Sequence, residues 1–186
     1  MAVYLTAIQT RLQQTPGGEG NEKTDILSNL AGDVVWWRQY KNVYSQDNDA
    51  QEVLLTKSDE GKRHYEETSN RFIYETLSTI SFSKFRDTKT NLENIYRQIN
   101  PKTLGADGAR RALFDRWVAD IEAEFQKVTD IESEIGEIRK EFDAKSKPSD
   151  VYLKLIAKVS EGKDSFLAII GFLSELLAAT NLNNGQ

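Results

Sequence analysis

The chain of 186 residues carries 24 Lys/Arg against 29 Asp/Glu, one histidine and no cysteine, and is 39% hydrophobic and 28% charged. That is long and apolar enough for one helical domain with a folded core, and too apolar for a disordered chain. Lack of cysteine excludes a disulfide framework and thiolate metal centres, and the lone His64 excludes Cys-His and paired-histidine designs. Only a lone Ser-His pairing and carboxylates remain for catalysis, so the expectation is a protein without enzymatic activity, metal or cofactor.

Met1 is followed by neither a basic nor an apolar leader region, and no Asn-x-Ser/Thr sequon occurs. Apolar runs such as Phe166 to Ile170, which none exceeds, fall far short of the ~20 residues a membrane span requires. A cytoplasmic protein without a membrane partner is expected.

All three prolines sit in breaks, at 15–20, 100–108 and 145–150, and between them the apolar spacing is helical. Leu5, Ile8 and Leu12 predict a short first helix ended by the Gly17–Gly18 pair. Leu27, Leu30, Val34, Trp37 and Tyr44 predict a longer second one, capped by Thr24 or Asp25. Trp36 and Trp37 lie about 100° apart on a helix, so only one is expected to point fully inward and the other to face a groove, a neighbour or solvent. The polar stretch 45–59 reads as a loop or weak helix, and Tyr65, Phe72, Ile73, Leu77 and Ile80 as a third helix.

A fourth helix is expected to open at Ser81, with Phe85, Leu92, Ile95, Tyr96 and Ile99 on one face. The fifth, about 109–143, is the longest, with a stripe of Leu113, Trp117, Ile121, Phe125, Val128, Ile135, Ile138 and Phe142. From Asp120 to Asp143 it carries nine acids against three bases, read as a solvated face because calcium-loop spacing is lacking. The sixth starts after Pro148, capped by Ser149 and interrupted at Gly162. Its apolar stretch 166–177 reads as core. The expected fold is an all-α bundle of five to six helices: one domain over 1–186, with 77–180 as core bundle and 1–76 as a helical extension.

Neither a Gly-x-Gly-x-x-Gly nor a phosphate-loop motif occurs. Glu60 and His64 are four apart, but a di-iron bundle needs Glu-x-x-His on two helices, so His64 reads as a surface residue. The distinctive feature is a basic island. Residues 82–117 hold eight Lys/Arg against four Asp/Glu, leaving 16 against 25 in the remainder. Lys84, Arg86 and Lys89 follow one expected helix start, and Arg110, Arg111 and Arg116 another. Helix N-termini suit phosphate, so these six residues are the candidate contacts to a nucleic-acid backbone, with an ordinary solvated surface as the competing reading.

Ser81-Phe82-Ser83-Lys84-Phe85-Arg86 resembles the Ser/Thr-rich opening of a central helix in the small helical subunits of type III CRISPR effector complexes. Arg116 in Leu-Phe-Asp-Arg-Trp-Val, and the segment from Phe166 to Ala179, sit at similar places in the order of parts over residues 77–180. The resemblance implies a non-catalytic subunit stacked in copies, contacting the backbone of RNA or single-stranded DNA through Arg86 and Arg116, with Lys84, Lys89, Arg110 and Arg111 assisting by charge. Two other readings stand beside it. A helical adaptor would bind protein partners through Trp36 and Trp37 and the C-terminal apolar stripe, and a membrane-active bundle would release residues 166–177.

Overall fold

The computed structural model describes residues 1–16, 21–46, 51–99, 108–142 and 146–181, with the side chains of 43–46, 51–52, 109–110 and 180–181 outside the description. The regular structure among these residues is helical throughout: α1 (Ala2–Gln14), α2 (Asn21–Gln46), α3 (Gln51–His64), a π-helical turn (Tyr65–Ser69), α4 (Asn70–Ile99), α5 (Gly108–Lys140) and α6 (Pro148–Asn181). The all-α architecture follows the apolar periodicity, but α5, expected to be the longest helix, has 33 residues against 34 in α6, and the unbroken run from Gln51 through the π turn to Ile99 is longer than either. The expected breaks at 17–20 and 100–107, and the Tyr44 side chain, lie outside the described residues.

Several boundaries differ from the sequence reading. The polar stretch before residue 59 is helical from Gln51 and continues through the π turn into α4 without a break. Ser81 therefore opens no helix. The Ser81–Arg86 run that suggested a start lies inside α4, just after two hydroxyls that are themselves helical: Thr76 Oγ1 donates to the Phe72 carbonyl at 2.6 Å and Thr79 Oγ1 to that of Glu75 at 3.0 Å. Hydroxyls that bond back one turn leave the helix ladder intact. Likewise α2 begins at Asn21, which places Thr24 and Asp25 inside the helix, and Pro148 is itself the first residue of α6. Proline suits that position because its missing N–H would be unpaired there anyway.

Contacts divide the chain into two units, Met1–Lys84 with Ile138–Leu155, and Phe85–Glu137 with Ile156–Gln186. The division thus falls within α4, α5 and α6. In the first unit Leu5, Ile8 and Leu12 of α1 form a core with Ile26, Leu30 and Val34 of α2 and Ile73 and Ile80 of α4. Each such side chain contributes roughly 1.5–3 kcal/mol on burial. Leu27 packs only at the edge of this core, because Ile26 occupies the inward direction.

In the second unit Phe85, Leu92, Phe114, Ile121, Val128, Ile131, Ile135, Phe166, Ile169, Leu173 and Leu176 are buried. The Phe85 and Phe166 rings lie 5.0 Å apart. Gly162 does not interrupt α6: a Cβ there would run into the Phe85 ring, so the glycine makes room for a core aromatic. The apolar C-terminal segment splits into two stripes. Phe166, Ile169, Leu173 and Leu176 are core, whereas Leu167, Ile170 and Leu177 are exposed. Among the described residues no helix is long and apolar enough to cross a membrane.

Candidate functional site

The most constructed polar site lies in the first unit, where the π turn meets α2. In a regular α-helix residues five apart stand about 140° from each other around the axis. The wider turn, closed by the Asn70 N–H on the Tyr65 carbonyl, brings His64 and Ser69 to the same side. Both reach one oxygen of Asp33: His64 Nε2 lies 2.6 Å from Oδ1, and Ser69 Oγ donates to the same atom at 3.1 Å. Asp33 has a fully buried side chain, and its Oδ2 meets no donor among the described residues. Such π turns inside α-helices occur often at functional sites.

The two tryptophans are built onto this chain of hydrogen bonds. Trp37 Nε1 donates to Ser69 Oγ at 2.8 Å. Trp36 stacks on His64 with ring centroids 3.5 Å apart, and on Tyr40 at 5.0 Å. Both indoles are half-buried, and the one that does not follow the core faces neighbours rather than solvent. Trp37 follows the core direction of α2, while His64 and Tyr40 cover Trp36. His64, expected at the surface, is likewise half-buried. Ser69 donates to the carboxylate and not to the imidazole, so the three polar groups lack the hydroxyl–imidazole link of a nucleophilic triad.

Beside them opens a recess of about 340 Å³ lined by Trp37, Tyr40, Ser58, Gly61, Lys62 and Tyr65. The Trp37 and Tyr40 rings stand at 81° to each other, forming a corner. The Tyr40 hydroxyl donates to the Lys57 carbonyl, and Gly61 lies where a Cβ would strike the Tyr40 ring. Sequence reading singled out the Trp pair but missed Asp33, Tyr40 and Ser69. Tyr40 follows Trp36 and Trp37 at helical spacing and could have been added from that alone. The π turn has no sequence signature.

The six cations of the basic island are placed as follows. Lys84 belongs to the first unit and is exposed. Arg86 and Lys89 meet in the second unit at Glu132, at 3.0 Å and 2.7 Å. Along α5, Arg111 pairs with Asp115 at 3.1 Å and Arg116 with Asp120 at 3.8 Å. The Arg110 side chain lies outside the described residues. Because Ser81–Arg86 is mid-helix, Lys84, Arg86 and Lys89 lack the helix N-terminus that was expected beside them. Of the six, only Arg110 and Arg111 lie in a first helical turn, that of α5.

The acidic face of α5 lines a second cleft, of about 500 Å³, together with Glu161 and Asp164 of α6. Lys158 bridges Glu134 at 2.6 Å and Glu161 at 2.8 Å, and these two hydrogen bonds hold its ammonium pKa above the ordinary lysine value. Burial would raise the carboxyl pKa of Glu124, but hydrogen bonds from Lys127 and Ser165 outweigh it and leave the pKa lowered. Among the described residues no group of three or more His, Asp or Glu is arranged to hold a metal ion. Comparison with protein-family models, curated proteins and solved structures finds no match to this chain.

Proposed function

We propose that this chain is a non-catalytic helical adaptor that captures a protein partner in the aromatic recess beside Trp37. The observation that carries this reading is that the recess walls are pinned from behind. Trp37 is tied to Ser69 and Asp33, Tyr40 to the Lys57 carbonyl, and Trp36 fills the space between His64 and Tyr40. Rigid aromatic surface of this kind binds at low entropic cost, and Trp and Tyr are the residues most enriched in binding hot spots. A photo-crosslinking amino acid at exposed Ser58 tests it in cells. Protein adducts of discrete mass that vanish on Trp37→Ala are expected, and absence of any adduct would remove the reading.

A second reading retains the nucleic-acid backbone, as in the small subunit of a CRISPR RNA-guided effector complex with neighbouring subunits, further copies included. It is favoured by Arg116 and Arg97, which are 78% and 72% exposed and each paired with a carboxylate one turn away. Such pairs are worth no more than about 1 kcal/mol, so phosphate can displace them. Under this reading Arg86→Ala with Arg116→Ala lowers the salt slope of binding to a single strand by about 1.4 units, while Glu132→Gln tightens binding by loosening the hold on Arg86 and Lys89. Unchanged affinity in both variants would dismiss it.

A further inference from the structure

The recess differs from a simple apolar groove in having two unlike sides. The indole N–H of Trp37 and the hydroxyl of Tyr40 are both spent on protein acceptors, so these walls offer ring surface rather than polar tips. An incoming ring placed against one wall meets the other edge-on, since the two stand at 81°. Offset-stacked and edge-to-face contacts are both preferred aromatic arrangements. The other lining residues come from α3 and the π turn, where Ser58 and Lys62 add polar groups beside Gly61 and Tyr65. Ser58 and Lys62 are four residues apart on α3 and therefore share one helix face.

Charge decides the sign of the ligand. Aromatic walls alone would suit a cation. Among the described lining residues, however, Lys62 alone is charged, and the nearby Asp33 carboxylate is buried and engaged by His64 and Ser69. Size limits it further. About 340 Å³ lies at the lower end of the roughly 300–1,000 Å³ of small-ligand pockets, enough for one ring with a short substituent.

We infer that the recess receives an aromatic side chain that is followed in the partner protein by an acidic residue, the ring entering the Trp37–Tyr40 corner and the carboxylate meeting Lys62. This rests on the protein-binding reading of the same site and narrows it to a sequence class.

The test uses the full chain, with the Trp37 indole N–H signal followed by nuclear magnetic resonance. Four probes are titrated: the blocked dipeptides acetyl-Phe-Glu-amide, acetyl-Phe-Gln-amide and acetyl-Ala-Glu-amide, and phenylacetate. The first is expected to shift the Trp37 signal and to bind about fivefold more tightly than the second, the most that one exposed charge pair contributes. The third should not bind. Lys62→Ala, at an exposed position, should abolish the fivefold preference and leave acetyl-Phe-Gln-amide unaffected.

Equal affinity for the Glu and Gln dipeptides overturns the inference, as does a perturbation that leaves Trp37 unmoved. Phenylacetate binding more tightly than every dipeptide also overturns it, in favour of a free aromatic acid. If the dipeptides fail while protein adducts at Ser58 persist, the sequence class falls and the adaptor stands. Loss of the adducts as well removes both.

Discussion

His64 Nε2 lies 2.6 Å from Oδ1 of Asp33, a carboxylate with no exposed side-chain surface, and ties the end of α3 to the middle of α2. Removing one partner of a buried pair leaves the other desolvated and uncompensated, at a cost of about 3–5 kcal/mol. His64→Ala is therefore expected to destabilise the protein by about 3 kcal/mol, since Ser69 still donates to Asp33. Chemical denaturation of the two single variants and of Asp33→Ala/His64→Ala checks this. The double variant should be less destabilised than the sum of the singles. Additive losses would mean that the pair does not couple.

The next link runs from Trp37 Nε1 to Ser69 Oγ at 2.8 Å. Trp37→Phe keeps most of the ring but removes the donor, and Ser69→Ala removes the acceptor. A lost hydrogen bond with a buried partner costs about 1–3 kcal/mol. Trp37→Phe should lose about 1–2 kcal/mol and Ser69→Ala more, because it also takes a donor from buried Asp33, while the pair together should lose little more than Ser69→Ala alone. Trp36→Phe, which keeps a ring for His64 and Tyr40 to stack on, should cost less. Equal loss at both tryptophans would place the stability in ring packing instead.

How much of this was legible depended on the range of the cause. Leu5, Ile8 and Leu12 were found because periodicity is local, and all three are buried. On α5 the same argument found Ile121, Val128 and Ile135 but took Leu113, which is 43% exposed, over buried Phe114. At a helix end a one-residue rotation changes the stripe without changing its period. Ser81 and Ser83 misled because serine serves inside a helix as well as at its start. The recess was illegible as a whole: it needs α2 and α3 side by side and a turn of unusual width, and neither leaves a pattern in the sequence.

Glu75 gives a pH signature to the first unit. Burial raises its carboxyl pKa, with Glu22 adding to the rise and Arg71 and Arg139 opposing it. The folded state therefore holds this proton more tightly than the unfolded chain, and stability falls as pH rises from about 4.5, the ordinary glutamate value, through the raised native value. Glu75→Gln removes that loss. Its melting temperature should exceed the parent's at pH 7 and converge with it below pH 4. A lower melting temperature at pH 7 would mean that attraction to Arg71 and Arg139 outweighs burial.

Two glycines of α6 should respond with opposite signs. At Gly162 a Cβ would meet the ring of Phe85, itself buried against Phe166, and lie 3.5 Å from Ile131. The ring is buried, so Gly162→Ala overpacks the second unit and should cost about 1–3 kcal/mol. At Gly171 nothing lies within 4 Å of the same atom, and the residue is exposed on an uninterrupted helix. There the substitution only removes backbone freedom from the unfolded chain, so Gly171→Ala should stabilise by about 0.5–1 kcal/mol. Phe85→Leu combined with Gly162→Ala separates crowding from a general helix effect. It should recover part of the loss, because the shorter side chain vacates the space the new methyl needs. If Gly162→Ala is as stabilising as Gly171→Ala, the close approach of Phe85 to α6 is wrong.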